Sequence, residues 1–159
     1  MRVLEIPSVE KSLWKRPVMI STAPVYVSIV VPTCNGATRK LKECLLALKG
    51  QKTTHSLEII VVDDGSTDQT LEVAQDISGI QVFRQRCQGP SAARNNGLRQ
   101  ALGEIVLFVD DDCVPEPDWV EAMVQPFADS SVTGVKGRYL SRQKELVSQF
   151  VQCEYEEKY

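Results

Sequence analysis

From Val25 onward the chain alternates two kinds of segment: short β-branched apolar runs of strand length, and longer stretches whose apolar residues recur every three or four positions. That alternation marks a mainly parallel sheet covered on both faces, so the predicted class is α/β. The run Val27-Ser28-Ile29-Val30-Val31 predicts a first strand that finishes at Pro32, because proline cannot donate to a sheet ladder. Leu41, Cys44, Leu45 and Leu48 share one helical face, with Gly50 expected as a left-handed stop. Leu57 to Val62 predicts a second buried strand. Ser66 with Gln69 three positions later reads as a capping box opening a helix through Leu71, Ala74 and Ile77.

A third strand is predicted near Ile80 to Phe83. Gly89-Pro90 then punctuates the chain, and Pro90 suits a first helical position, so a helix is expected over Ser91 to Leu102, closed by Gly103. Ile105 to Val109 predicts the fourth strand. A further helix carries Trp119, Val120, Met123 and Phe127 on one side and breaks near Pro126, and Val132 to Val135 reads as one more strand. Leu146, Val147, Phe150 and Val151 lie at helical spacing, so another amphipathic helix is expected to begin there, without the segment it would pack against. The resulting division is an extension over residues 1–24, a binding domain over 25–135, and an incomplete second half over 136–159.

Composition narrows the chemistry. A chain of 159 residues, 43% of them hydrophobic, can bury one ordinary core. Its net charge of −3 comes from interspersed acids and bases, without the basic run that would track nucleic acid. No stretch approaches the roughly 20 apolar residues needed to cross a bilayer, and residues 1–24 lack the apolar centre of a signal peptide. A cytoplasmic location is therefore expected, with a peripheral seat at the inner membrane face left open. The five cysteines are scattered and lack any Cys-x-x-Cys spacing, which fits reduced thiols. His55 is the single histidine, which excludes a multi-histidine metal site and leaves oxygen ligands for any cation.

Ligands of open α/β sheets bind outside the carboxyl ends of the strands. Three of those predicted ends carry Thr33-Cys34-Asn35-Gly36, Asp63-Asp64-Gly65-Ser66 and Asp110-Asp111-Asp112. At least five carboxylates from distant parts of the chain would line one crevice, and their mutual repulsion calls for a compensating cation or hydrogen-bonding ligand. Mg²⁺ accepts one or two carboxylates plus water and substrate phosphates, and Asp110 and Asp112 would point to the same side if the strand ran on through them. Arg94, near the start of a helix, could face an anion together with the helix N-terminus. Each feature alone has a plainer explanation: a solvated turn for Asp110 to Asp112, turn and cap chemistry for Asp63-Asp64-Gly65-Ser66, and a surface ion pair for Arg94.

Together, VSIVVPTCNG (27–36), EIIVVDDGSTDQT (58–70), GPSAARNNGLRQALGEIVLFVDDD (89–112) and VPEPDW (114–119) resemble the family 2 glycosyltransferases with the GT-A fold, over roughly residues 25 to 135. The resemblance implies a nucleotide-diphosphate sugar donor, UDP-linked, bound with Mg²⁺ or Mn²⁺, in a hexosyltransferase serving cell-wall or polysaccharide assembly. It implies that Asp63 accepts from the nucleobase beside Pro32, Thr33 and Asn35, with Asp64 a weaker companion. It also makes Asp110 and Asp112 the family's Asp-x-Asp pair, the first nearer the ribose and the second a metal ligand, with Asp111 in the variable position. Arg94 matches the arginine of the family's Ala-Arg-Asn segment and would assist the departing diphosphate.

The family inverts the anomeric centre by direct attack of an acceptor hydroxyl, which needs a carboxylate base. That base is unassigned here: it is expected beyond Tyr159, and Glu154 is a weak candidate. The acceptor, whether saccharide, lipid or protein, and any homo-oligomer are not specified by these motifs. Two other enzyme classes share such a sheet. A dinucleotide-dependent oxidoreductase should show Gly-x-Gly-x-x-Gly where this chain has Pro32-Thr33-Cys34-Asn35-Gly36, and a sugar nucleotidyltransferase should show a glycine-rich basic loop where only Arg39 and Lys40 follow Gly36. A domain that binds nucleotide without transferring sugar is the non-enzymatic alternative.

Overall fold

The computed structural model describes residues 25–137. Four parallel strands form one sheet: β1 (Val27–Thr33), β2 (Leu57–Asp63), β3 (Ile80–Arg84) and β4 (Ile105–Phe108), in the order β3-β2-β1-β4. Helix α1 (Leu41–Lys49) follows β1, α2 (Thr70–Gln75) follows β2, α3 (Pro90–Gln100) follows β3, and α4 (Trp119–Val124) runs into a 3-10 turn over Gln125–Ala128. The chain winds outward from β1 to β3 and then returns across to β4. The carboxyl ends of β1 and β4 therefore flank a topological switch point, the place where such sheets hold ligands.

Every residue of β1 is buried because helices cover both of its faces. Ile29 and Val31 pack with Leu41, Cys44, Leu45 and Leu48 of α1, as their helical spacing requires, and with Val120 and Val124 of α4. Val30 points the other way, into a second cluster with Ile60, Val62 and Ala93 under α3. There Gly97 allows close approach, since a Cβ on it would lie 2.3 Å from Val30 Cγ1 and one of the two would have to shift. At the amino end of the strands Ser28 donates to Glu58 Oε1 (2.6 Å), which also accepts from the Leu102 backbone (2.7 Å) and so ties the end of α3 to the sheet.

Several expectations need correction. β1 passes through Pro32 to Thr33, where it still pairs with β2. The Val30 carbonyl accepts from Val109, so even-numbered β1 residues turn their polar backbone towards β4; pairing with β4 ends at Val30, and Pro32 has no partner there to disappoint. Gly50 ends α1 at φ −88°, a right-handed conformation open to any residue, with its N–H on the Leu46 carbonyl. The Ser66–Gln69 capping box does not form: the Ser66 hydroxyl donates to Asp63, and α2 instead starts at Thr70, whose N–H bonds Asp68 Oδ1 at 3.0 Å. α3 stops at Gln100, and Gly103 serves close approach rather than helix closure, because its Cβ would meet Ser28 N at 2.7 Å. Val132 to Val135 is not a strand and joins no ladder of the four-stranded sheet. The extension over 1–24, the helix expected from Leu146 and Glu154 lie outside the described residues. Among the described residues, no helix is long and apolar enough to cross a membrane.

Candidate donor-binding site

A cavity of about 360 Å³ opens at the switch point, lined by Pro32, Thr33, Cys34, Arg39, Asp64, Pro90, Ala93, Arg94, Asp110, Asp111 and Asp112. Residues from positions 32 to 112 meet there because β1 and β2 end level at Thr33 and Asp63, the turn after β4 reaches Thr33 through Asp111, and α3 begins at Pro90 beside them.

The acidic segment is a turn rather than a strand. β4 ends at Phe108, Val109 makes a last bond to Val30, and the Cys113 N–H then closes on the Asp110 carbonyl at 3.0 Å. Strand alternation therefore does not orient Asp110 and Asp112, contrary to the sequence expectation, although all three aspartates line the cavity. Asp111, the variable position of the motif, is the most firmly held. Its carboxylate accepts from Thr33 Oγ1 at 2.5 Å and pairs with Arg39 Nη2 at 2.7 Å. Burial raises the Asp111 carboxyl above its ordinary value; Thr33 and Arg39 oppose the rise, and the neighbouring Asp112 and Asp110 charges add to it. Asp110 pairs with Arg94 at 2.5 Å. Asp112 is exposed; its carboxylate accepts from the Cys113 thiol at 3.6 Å and makes no ion pair among the described residues. Burial pushes that thiol up to about 11, so it stays a protonated donor at neutral pH.

The two aspartates that close β2 part company. Asp64 faces the cavity, accepting on Oδ1 from Gln85 Nε2 and Gln88 N (both 2.8 Å) and on Oδ2 from Gly89 N (2.7 Å). Burial pushes its carboxyl up, but the Gln88, Gln85 and Gly89 hydrogen bonds outweigh that and leave it below 3.8. Asp63, expected at the nucleobase, turns into the fold and is 1% exposed. Its Oδ1 accepts from Ser66 N at 3.0 Å, and its Oδ2 lies 3.2 Å from Arg84 Nε, at ion-pair distance but off hydrogen-bond alignment. Arg84 is the cross-strand neighbour of Asp63 in the β2–β3 ladder, which explains the direction. Asn35 is also absent from the lining. At φ 53°, a conformation asparagine tolerates, it donates its N–H to Ser66 Oγ and accepts on Oδ1 from the Thr67 N–H, fastening one loop to the next.

Sequence reasoning missed Arg39, Cys34, Pro90 and Ala93 as lining residues. Arg39 carried a weak signal as one of two basic residues after the first strand end, but only the fold brings it to Asp111.

A parallel sheet with an acidic crevice at its switch point, flanked by helices, defines the class as a GT-A domain, the fold of its structural neighbours. The chain belongs to glycosyl transferase family 2, whose model matches residues 28–153. It is 37% identical over 125 residues to the glycosyltransferase AglE of Haloferax volcanii, covering 75% of this chain and 40% of that protein. It is 30% identical over 137 residues to an N-acetylglucosaminyltransferase of Azorhizobium caulinodans, covering 81% of this chain and 34% of the relative. The chain thus spans two-fifths or less of the length of these curated relatives. Among solved structures, S. aureus TarS in complex with UDP superposes with a TM-score of 0.61 at 32% identity, over 76% of this chain and 40% of that one. The mannosyltransferase PcManGT of Pyrobaculum calidifontis, in complex with GDP-Man and Mn²⁺, gives 0.59 at 30% identity, over 74% and 37%.

Proposed function

We propose that this domain binds a nucleoside-diphosphate sugar, UDP-linked, with Mg²⁺ or Mn²⁺ in the crevice between β1 and β4, for inverting transfer of the sugar to an acceptor hydroxyl. The observation that carries the reading is the shared cavity of Thr33, Asp64, Arg94 and Asp110 to Asp112. The structures of relatives with UDP and with GDP-Man and Mn²⁺ support it.

The residues fit a cation that is shared with substrate. The carboxylates of Asp110 and Asp112 line the cavity, and a hard cation takes one or two carboxylates and completes its shell with phosphate oxygens and water. Asp112 would hold it, with Asp110 beside it. A cation bound there supplies neutralisation of the charge that develops on the departing nucleoside diphosphate. Arg94 offers guanidinium donors from the first turns of α3, whose amino end faces the same cavity through Pro90 and Ala93. Arg39 and Thr33 brace Asp111 and so hold the turn that presents the two outer carboxylates. Asp64 takes the nucleobase role first expected of Asp63: its Oδ2 accepts a single bond, which leaves lone-pair capacity for an imide N–H.

Isothermal calorimetry with UDP and GDP in the presence of Mn²⁺ tests the reading. Saturable binding of UDP, tighter than that of GDP, is the expected result. Binding of neither nucleotide at millimolar concentration would refute it.

A further inference from the structure

Two arginines hold the acidic turn, and the two ion pairs differ in kind. Arg39 reaches Asp111, whose side chain is 5% exposed and also bonded to Thr33, so that carboxylate is enclosed. Arg94 reaches Asp110 in the open, with side chains 36% and 45% exposed, and both residues line the cavity. An exposed pair of this sort is weak, because water screens it and two long side chains must be ordered to make it. It can therefore be exchanged at little cost, whereas the Asp111 pair cannot.

A guanidinium on Asp110 occupies the electrostatic position that a divalent cation would take, and two cations within a few ångströms of one carboxylate repel each other. A diphosphate beside them changes the balance, since it offers the guanidinium better-matched acceptors than a single carboxylate oxygen.

We infer that Arg94 is an exchangeable counter-ion of the site: without ligand it neutralises Asp110 and disfavours free divalent cation, and when a nucleoside diphosphate arrives it moves to the phosphates and leaves Asp110 to the cation. The inference rests on the donor reading above and adds an order to it. Cation and nucleotide then bind with positive coupling, each raising the affinity for the other by the same factor. The movement asked of Arg94 is a rotamer change of a partly exposed side chain at the cavity wall, which needs no rearrangement of α3.

Electron paramagnetic resonance of free Mn²⁺, with and without UDP, tests this on the wild-type chain, Arg94→Gln and Arg94→Lys. In Arg94→Gln the affinity for Mn²⁺ alone is expected to rise about threefold or more, since the competing charge is gone. The affinity for UDP in Mn²⁺ is expected to fall about tenfold, since the diphosphate loses charge-assisted donors. Arg94→Lys keeps the charge and is expected to stay near wild type for free Mn²⁺. Opposite movements of the two affinities are the signature, because a merely structural role would weaken both. If Arg94→Gln binds free Mn²⁺ no more tightly while wild type still shows metal-dependent UDP binding, the exchange is overturned and the donor reading stands. If wild type retains no Mn²⁺ even with UDP present, both fall.

Discussion

Thr33 Oγ1 donates to Asp111 Oδ2 over 2.5 Å, joining the carboxyl end of β1 to the turn that follows β4. The bond spans the switch point, so the two halves of the crevice keep a fixed separation. Gly36 makes it possible: a Cβ there would sit 2.4 Å from Thr33 Oγ1 and 2.7 Å from Asp111 Oδ2. Gly36→Ala is expected to push the two apart and tilt the Asp110–Asp112 turn. UDP affinity in Mn²⁺ should fall about tenfold, some 1.4 kcal/mol, with an unchanged far-UV circular dichroism spectrum. Unaltered affinity would show that the Thr33–Asp111 bond has no part in shaping the site.

Gly97 and Val30 form the tight contact between α3 and the sheet. Gly97→Ala should cost about 1–3 kcal/mol of stability through overpacking, despite the better helix propensity of alanine. Val30→Ala makes room for the added methyl, so the double variant should be more stable than the two single losses combined would allow. Urea denaturation of the four proteins measures the coupling, and strict additivity would contradict the contact.

Asp64 supplies a pH dependence whose sign follows from its environment. Its folded-state carboxyl lies below the ordinary 3.8, so the folded chain binds fewer protons than the unfolded one around and below that pH. Its stabilisation is complete at neutral pH, declines as pH falls below about 4, and is gone once pH passes below the depressed value. Asp64→Asn replaces one acceptor oxygen by a donor facing a backbone N–H, at a cost of about 1–3 kcal/mol at pH 7. Urea midpoints at pH 7, 4 and 3 should show the difference from wild type shrinking as acid is added. A gap that stays constant would mean that the Asp64 charge contributes nothing to folding.

Much of this was legible in the sequence wherever local pattern and burial agree. The β-branched runs became β1 and β2, the three-and-four spacing of Leu41, Cys44, Leu45 and Leu48 became the buried face of α1, and Pro90 opened α3. What failed depended on partners far along the chain. Ser66 has the residue type of a helix cap, yet its hydroxyl is used by Asp63 and by the Asn35 N–H. Asp63 and Asp64 are adjacent and chemically identical, and strand alternation turns them opposite ways; which of the two faces the cavity is not written in their type, and the fold sets Arg84 beside Asp63. Asp111, which fills the variable position of the motif, is the best anchored of the three consecutive aspartates because Arg39, 72 positions away, folds onto it.

The central claim is that separated carboxylates at one mouth of the sheet hold a cation that bridges to a diphosphate. Calorimetric titration of UDP into the wild-type chain and Asp112→Ala, each in Mn²⁺ and again after chelation, tests it most directly. Wild type should lose about tenfold or more in affinity on chelation, and Asp112→Ala should show that weaker affinity from the start and be indifferent to the chelator. Equal UDP affinity for wild type with and without Mn²⁺ would contradict the account.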